Sequence, residues 1–260
     1  MGADVGLVRK FKAGKATVLI YSDRQKMGKA AAEAVGKKAI ELIDKKDKIS
    51  MVFASAPSQE EFLAELTKMD KIEWSKILAF HLDEYIGLPS DAPQAFGKFL
   101  KDRLFDKVKP GKVYYLKGNA GNLDEEAFRY SELLKKTGID IACLGIGENG
   151  HLAFNDPHVA DFNDPLTVKV VELDEVCRQQ QVNDGCFANI DLVPKRALTL
   201  TMPTMFNADF ISCVVPAKSK AEAVRKTVHG PISPSCPASI IRNHKDATLF
   251  LDMDSAAFLK

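Results

Sequence analysis

The apolar run Ile139-Asp140-Ile141-Ala142-Cys143-Leu144 leads directly into Gly145-Ile146-Gly147-Glu148-Asn149-Gly150-His151. Near-continuous apolar residues mark a strand buried on both faces, as in a parallel sheet. A glycine-rich turn after such a strand lets backbone N–H groups approach an anionic ligand. His151 and Asp156, set just beyond the glycines, add acid/base groups to that cradle. The combination points to chemistry on a phosphorylated small molecule.

The rest of the chain agrees with a buried parallel strand. Strands are expected at 17–21, 51–53, 77–82, 113–116, 168–173, 197–201, 210–215 and 248–251. Helices are expected at 25–46, 60–69, 94–108, 124–136 and 218–228. This alternation predicts an α/β fold, a mainly parallel sheet with helices on both faces. No linker, repeat or low-complexity block divides the 260 residues, so one domain over 1–260 is the simpler expectation. Ligands of such folds gather beyond the carboxyl ends of the strands, where strand order switches. That selects Ala54 to Ser58, Asp83-Glu84, and Gly145 to Asp156.

Gly145, Gly147 and Gly150 also fit the spacing of a dinucleotide fingerprint, with Glu172 or Asp174 about 20 residues on. That motif needs a helix to start within the glycines, beneath the pyrophosphate. Asn155-Asp156-Pro157 interrupts any such helix, because proline lacks a donor and clashes with the preceding turn. No nicotinamide or flavin, and no other cofactor, is expected.

A net charge of +1 provides no basic field for nucleic acid or an anionic membrane. No run nears the roughly 18 apolar residues that span a bilayer, and Met1 to Lys15 lacks a signal-peptide core. Five scattered cysteines without a C-x-x-C pair read as reduced, buried thiols. A cytoplasmic protein with a small-molecule partner is expected.

The site candidates each have a plainer structural reading. Asp83 could end a strand at a turn, or act as a base whose pKa burial raises; Glu84 adjoins it. His151 could be a core histidine, but Asn149 and Asp156 flank it and could fix its tautomer. A metal site from His81, Asp83, His151 and Asp156 lacks any ligand spacing, so no metal is expected. A lysine in the first turn of the helix opened by Lys218-Ser219-Lys220, and Arg178, are candidate anion contacts. Met, Phe and Leu within 198–206 are core.

Three segments together carry a family resemblance: Phe80-His81-Leu82-Asp83-Glu84-Tyr85-Ile86-Gly87-Leu88, Leu144 to Pro157, and Val193-Pro194-Lys195-Arg196-Ala197-Leu198-Thr199. Lys218 to Arg225 and Cys236-Pro237-Ala238-Ser239-Ile240 extend it. In these segments the chain resembles the glucosamine-6-phosphate deaminases (isomerases) of the sugar-phosphate isomerase and 6-phosphogluconolactonase superfamily, over nearly its whole length. The resemblance implies a Rossmann-like, deaminase/isomerase-type fold. It also implies conversion of an amino-sugar 6-phosphate to a ketose 6-phosphate with loss of ammonia. His151 would open the sugar ring and Asp83 would move the C2 proton, with Glu84, Asn149 and Asp156 in support. Ser55, Ala56, Ser58, Gly147, Gly150, Arg178 and Lys220 would hold substrate and phosphate. A lactone hydrolase of the 6-phosphogluconolactonase type, or a non-catalytic sugar-phosphate sensor, is the alternative.

The chain departs from the family pattern at both ends of the site. Asn149 stands where aspartate is frequent, and Asp156 shortens a glutamate. Asparagine orients an imidazole without stabilising its cation, which leaves that task to Asp156. The usual glycine-glycine-threonine loop is Ala54-Ser55-Ala56-Pro57-Ser58-Gln59, in which Pro57 removes a donor. A family arginine aligns with Asn183. The family's larger bacterial enzymes are allosteric hexamers whose effector residues are only partly present around Thr167-Val168-Lys169. A homo-oligomer remains compatible with the chain, and simple saturation kinetics are expected.

Overall fold

The computed structural model describes residues 5–259. The first four residues of the Met1–Lys15 segment lie outside the described residues. An eight-stranded sheet runs in the order β1-β2-β11-β10-β7-β3-β4-β6. Its strands are β1 (Leu7–Ala13), β2 (Ala16–Tyr21), β3 (Ile49–Phe53), β4 (Ile77–His81), β6 (Lys112–Tyr114), β7 (Ile141–Leu144), β10 (Phe210–Val215) and β11 (Ala247–Asp252). Every pairing is parallel except the β1–β2 hairpin at one edge. All five residues of β3 and all six of β10 are buried, as expected of strands covered on both faces. Each large apolar side chain so buried contributes about 1.5–3 kcal/mol of transfer free energy.

The second half of the expected sheet is built differently. β5 (Asp83–Tyr85), β9 (Arg196–Leu200) and β8 (Val168–Glu172) form a separate three-stranded antiparallel sheet. Val168, Leu198 and Leu200 nevertheless share one hydrophobic cluster with Leu144, Val215 and Leu249 of the large sheet. The strands expected at 168–173 and 197–201 therefore exist, but not in the parallel sheet. β5 and β1 were not legible in advance, because both carry charged residues.

Helices cover the large sheet. α1 (Arg24–Ile43) begins at Asp23, whose side chain accepts from the N–H of Lys26 at 2.9 Å. Six of its nine buried residues are Ala or Gly, which brings it close to α2 (Glu60–Leu66). A Cβ on Gly28 would lie 2.7 Å from that of Glu61. The helix expected at 94–108 is α3 (Phe96–Leu100), a π turn at Lys101–Phe105, and α4 (Asp106–Val108). α5 (Leu123–Thr137) is capped by Asn122, with acids in its first turn and lysines in its last, matching the helix dipole. α6 (Glu175–Asn183), α7 (Met202–Phe206) and α8 (Ala221–His229) complete the set; the first two were not expected. No described helix is long and apolar enough to cross a membrane. The five cysteines are free, and all but Cys186 are buried.

Strand order places the site. From β3 the chain moves outward to β4 and β6, whereas from β7 it moves the other way to β10 and β11. β3 and β7 are neighbours, so their outgoing loops diverge and leave a crevice between them. Gly118 pins β5 beside this crevice: a Cβ there would sit 1.9 Å from the carbonyl oxygen of Tyr85. Gly118→Ala is expected to cost about 1–3 kcal/mol by forcing β5 outward. Thermal unfolding should report it as a fall of roughly 2–4 °C per kcal/mol; an unchanged Tm would contradict this packing.

Candidate active site

The crevice is lined by Ser55, Ala56, Ser58 and Gln59 after β3, Asp83 after β4, and Gly147 and His151 after β7. Gln180 and Gln181 of α6 and Lys220 ahead of α8 close it. No helix begins in the glycines after β7, in keeping with the proline at 157.

His151 is held on its Nδ1 side by two oxygens, Oδ1 of Asn149 at 2.8 Å and Oδ1 of Asp156 at 3.0 Å. Two acceptors on that side require the proton on Nδ1, which leaves the Nε2 lone pair available. The ring lies against Gly147, where a Cβ would fall 2.1 Å from Cε1. Gly147 is a glycine because the imidazole occupies that space. Gly150 adopts φ +88°, and a Cβ there would meet Sγ of Cys236 at 2.8 Å. It shapes the turn and does not line the crevice.

Asn149 is bonded on both of its amide atoms. Its Oδ1 accepts from the N–H and the ring of His151, and its Nδ2 donates to Asp156 at 2.9 Å and Asp174 at 3.0 Å. Asp174 also caps α6 through the N–H of Cys177, and its own N–H donates to Asp156. Burial pushes the Asp156 carboxyl up, but the bonds from His151, Asn149 and Asp174 outweigh it and hold the group below its ordinary value. The anion expected of position 149 is thus supplied by Asp156, in direct contact with the ring.

Asp83 is buried at the start of β5, opposite Thr199. Burial first, and the neighbouring Glu84 second, raise its pKa well above the usual carboxylate range. Its backbone is fixed by His81, which donates from Nδ1 to the Asp83 carbonyl at 2.9 Å and accepts from the Leu116 N–H at 2.8 Å on Nε2. Burial holds His81 neutral, with its pKa pushed down to about 4. It is a positioning group and not a metal ligand beside His151.

Glu84 is not brought to the crevice. Side chains alternate across a strand, so Glu84 points away from Asp83. There it accepts from the N–H groups of Tyr85, Phe96 and Gly97 at 2.9–3.0 Å, anchoring the first turn of α3. Burial raises its pKa to about 7 against those bonds. Arg178 is also turned away: its guanidinium donates to the carbonyls of Ile190 and Val193. Asn183 is exposed and bonded to Gln179.

The anion end is formed by Ser55, Ala56, Ser58 and Lys220. Pro57 opens a short 3₁₀ turn, Pro57–Gln59, where its missing donor is least costly. Ser55 Oγ and Lys220 Nζ are buried without hydrogen-bond partners among the described residues. The nearest carboxylate to Lys220 is that of Glu148, at 3.9 Å. Burial lowers the Lys220 pKa, opposed by Asp184 and Glu148. The turn that presents Lys220 contains Ala217 at φ +82°, whose N–H is held by the Asp252 carboxylate. Gln180 and Gln181 gave no signal in the sequence, since neutral amides on an unforeseen helix look like any polar surface. Gln180 accepts from the Glu148 N–H at 2.8 Å.

Residues 22–250 match the model of the family described as glucosamine-6-phosphate isomerases/6-phosphogluconolactonase. The chain belongs to this family. A glucosamine-6-phosphate deaminase from Halothermothrix orenii is 34% identical over 247 residues, spanning 93% of this chain and 99% of its own length. A solved monomeric glucosamine-6-phosphate deaminase is similar at 33% identity and a TM-score of 0.84, with 92% of this chain and 98% of that one covered. A 6-phosphogluconolactonase from Thermotoga maritima, at 20% identity and a TM-score of 0.74, covers 90% of this chain and 98% of its own and shares the fold.

Within the family site, the bonding of Asn149 generates a specific expectation. Asn149→Asp would set carboxylate oxygen against Asp156 and Asp174, where two donated hydrogen bonds now stand. The variant should lose about 2–4 kcal/mol of stability at neutral pH. Adding Asp174→Asn, which returns one donor, should recover part of it. A double-mutant cycle by denaturant unfolding measures the coupling; strict additivity would refute the network.

Proposed function

We propose that this chain converts glucosamine 6-phosphate and water to fructose 6-phosphate and ammonia. One observation supports this above all: a buried carboxyl of raised pKa and an imidazole with a fixed tautomer line one crevice with a buried lysine that has no hydrogen-bond partner among the described residues. The phosphate would lie at Lys220, Ser55 and Ser58, which puts C1 and C2 of the sugar towards His151 and Asp83.

His151 Nε2 accepts the anomeric hydroxyl proton, and its return to the ring oxygen opens the sugar. The developing imidazolium is stabilised by Asp156. Asp83 then removes the C2 proton, now acidic beside the C1 aldehyde, and the electron pair passes to a C1–C2 enolamine. Protonation at C1 leaves an imine at C2, whose hydrolysis by water releases ammonia. A carboxylate in bulk water would be too weak a base; burial brings its pKa towards the working pH. Hyperbolic kinetics are expected.

Ammonia release from glucosamine 6-phosphate, with galactosamine 6-phosphate and 6-phosphogluconolactone in parallel, tests the reading. Rapid release from the gluco substrate is expected; turnover of the lactone alone would overturn it. Asp83→Asn should lower kcat by roughly 100- to 10,000-fold, and full activity would exclude the base assignment. The pH profile supplies a further check. Asp83 must be ionised to act, so kcat/KM should rise with pH through an apparent pKa above the ordinary carboxylate range. Glu84→Gln removes a neighbouring negative charge and should move that limb to lower pH. A limb that stays in place would contradict the coupling.

A further inference from the structure

The flank of His151 that faces away from the crevice carries ligand chemistry that deamination does not use. Cys177, on the first turn of α6, is buried, with its thiol beside the Asp156 carboxylate. A ring nitrogen of His151, a carboxylate oxygen of Asp156 and Sγ of Cys177 all lie within 4.8 Å of one another, and Nδ1 of that ring is 3.0 Å from Asp156 Oδ1. A second set, Asp156, His158 and Asp174, meets the same limit, and its His158 is exposed. Two triads thus share Asp156 and run from the buried imidazole to the surface.

Charge points the same way. Asp156 and Asp174 stand side by side, and among the described residues neither is paired with a lysine or arginine. Their hydrogen-bond donors are an amide side chain, backbone N–H groups and the imidazole. Two adjacent carboxylates without a lysine or arginine partner favour a cation. Nitrogen, sulfur and oxygen ligands together select a thiophilic divalent ion such as Zn²⁺, with ligand bonds of about 2.0–2.3 Å.

We propose that His151, Asp156 and Cys177 form an inhibitory binding site for such an ion, with Asp156, His158 and Asp174 as its outer approach. Binding replaces the thiol proton, which leaves to solvent, and takes the Nδ1 lone pair of His151. The ring proton must then sit on Nε2. That is the wrong tautomer for accepting the anomeric hydroxyl proton, and Asp156 is diverted to the metal. Inhibition rests on the role proposed above for His151; binding does not.

The two parts are therefore tested separately, on the full chain with a phosphine reductant. Stoichiometric Co²⁺ should produce a thiolate-to-metal charge-transfer band that Zn²⁺ abolishes. Cys177→Ser should remove the band, while Cys186→Ser, at the half-exposed cysteine, should keep it. No band in the unsubstituted protein, or a band that survives Cys177→Ser, overturns the site. Should Cys177→Ser fail to fold, His158→Ala serves instead: apparent Co²⁺ affinity is expected to fall about tenfold or more, and unchanged affinity overturns the outer approach. In the activity arm, Zn²⁺ should inhibit ammonia release reversibly to chelator, and Cys177→Ser, compared with its own metal-free rate, should need at least about tenfold more. A Co²⁺ band without Zn²⁺ inhibition overturns the inhibitory role and leaves binding standing. Absence of turnover in metal-free protein instead refutes the functional reading, independently of the spectrum.

Discussion

Adjacent parallel strands that send the chain in opposite directions cannot both be covered by their own connections. β3 and β7 stand in that relation, and the space above them is the one place where loop backbone, helix ends and side chains from four strands converge. The two strands are locked at their opposite end. The Asp140 carboxylate, ion-paired with Lys46, accepts from the Ser50 N–H at 2.7 Å, and the Asp140 N–H donates to the Ser50 carbonyl at 3.0 Å. The crevice is therefore a consequence of strand order, held at constant width by bonds far from the chemistry.

On that frame the end of β4 and the start of β5 are fixed by side-chain bonds to backbone. Tyr130 receives the His81 N–H and donates to the His81 carbonyl, so α5 clamps the end of β4. His81 then grips the Asp83 carbonyl, and Glu84 secures α3 against the far side of β5. The carboxyl of Asp83 has no hydrogen-bond partner among the described residues. Burial, and after it the neighbouring Glu84, raise its pKa.

The parallel sheet was legible in the sequence because its strands are buried on both faces and so appear as apolar runs without alternation. β1, Leu-Val-Arg-Lys-Phe-Lys-Ala, is an edge strand with exposed lysines, and β5 is three residues, two of them acids. Neither contains enough apolar signal to be separated from loop. The strands of the small sheet were visible as strands, but their antiparallel partners depend on β5. The same blind spot led to Glu84: without knowing that Asp83-Glu84-Tyr85 is extended, its alternation across two faces cannot be inferred. A glycine turn and a strand end locate His151, Asn149, Asp156 and Asp83 in the sequence, whereas Lys220 is distinguished from its neighbouring lysines by the family resemblance. Arg178 stands out in the sequence only by its charge, and charge carries no direction; its guanidinium binds the carbonyls of Ile190 and Val193 instead. Gln180 and Gln181 line the crevice without any feature that marks a neutral amide as buried.

The asparagine at 149 looked like a weakened site and is better understood as a balance of charge. With Asp174 serving both as the cap of α6 and as neighbour to Asp156, a third carboxylate at 149 would face two others across about 3 Å. One of the three would have to hold a proton, and the proton most easily shared lies on His151. An amide avoids that competition: it donates to both acids and presents only oxygen to the imidazole. The stabilising anion then moves one shell along, to Asp156, where it touches Nδ1 directly. The arrangement keeps the ring tautomer fixed by geometry while leaving two acids close together without a lysine or arginine partner among the described residues, the imbalance on which the proposed divalent-ion site rests.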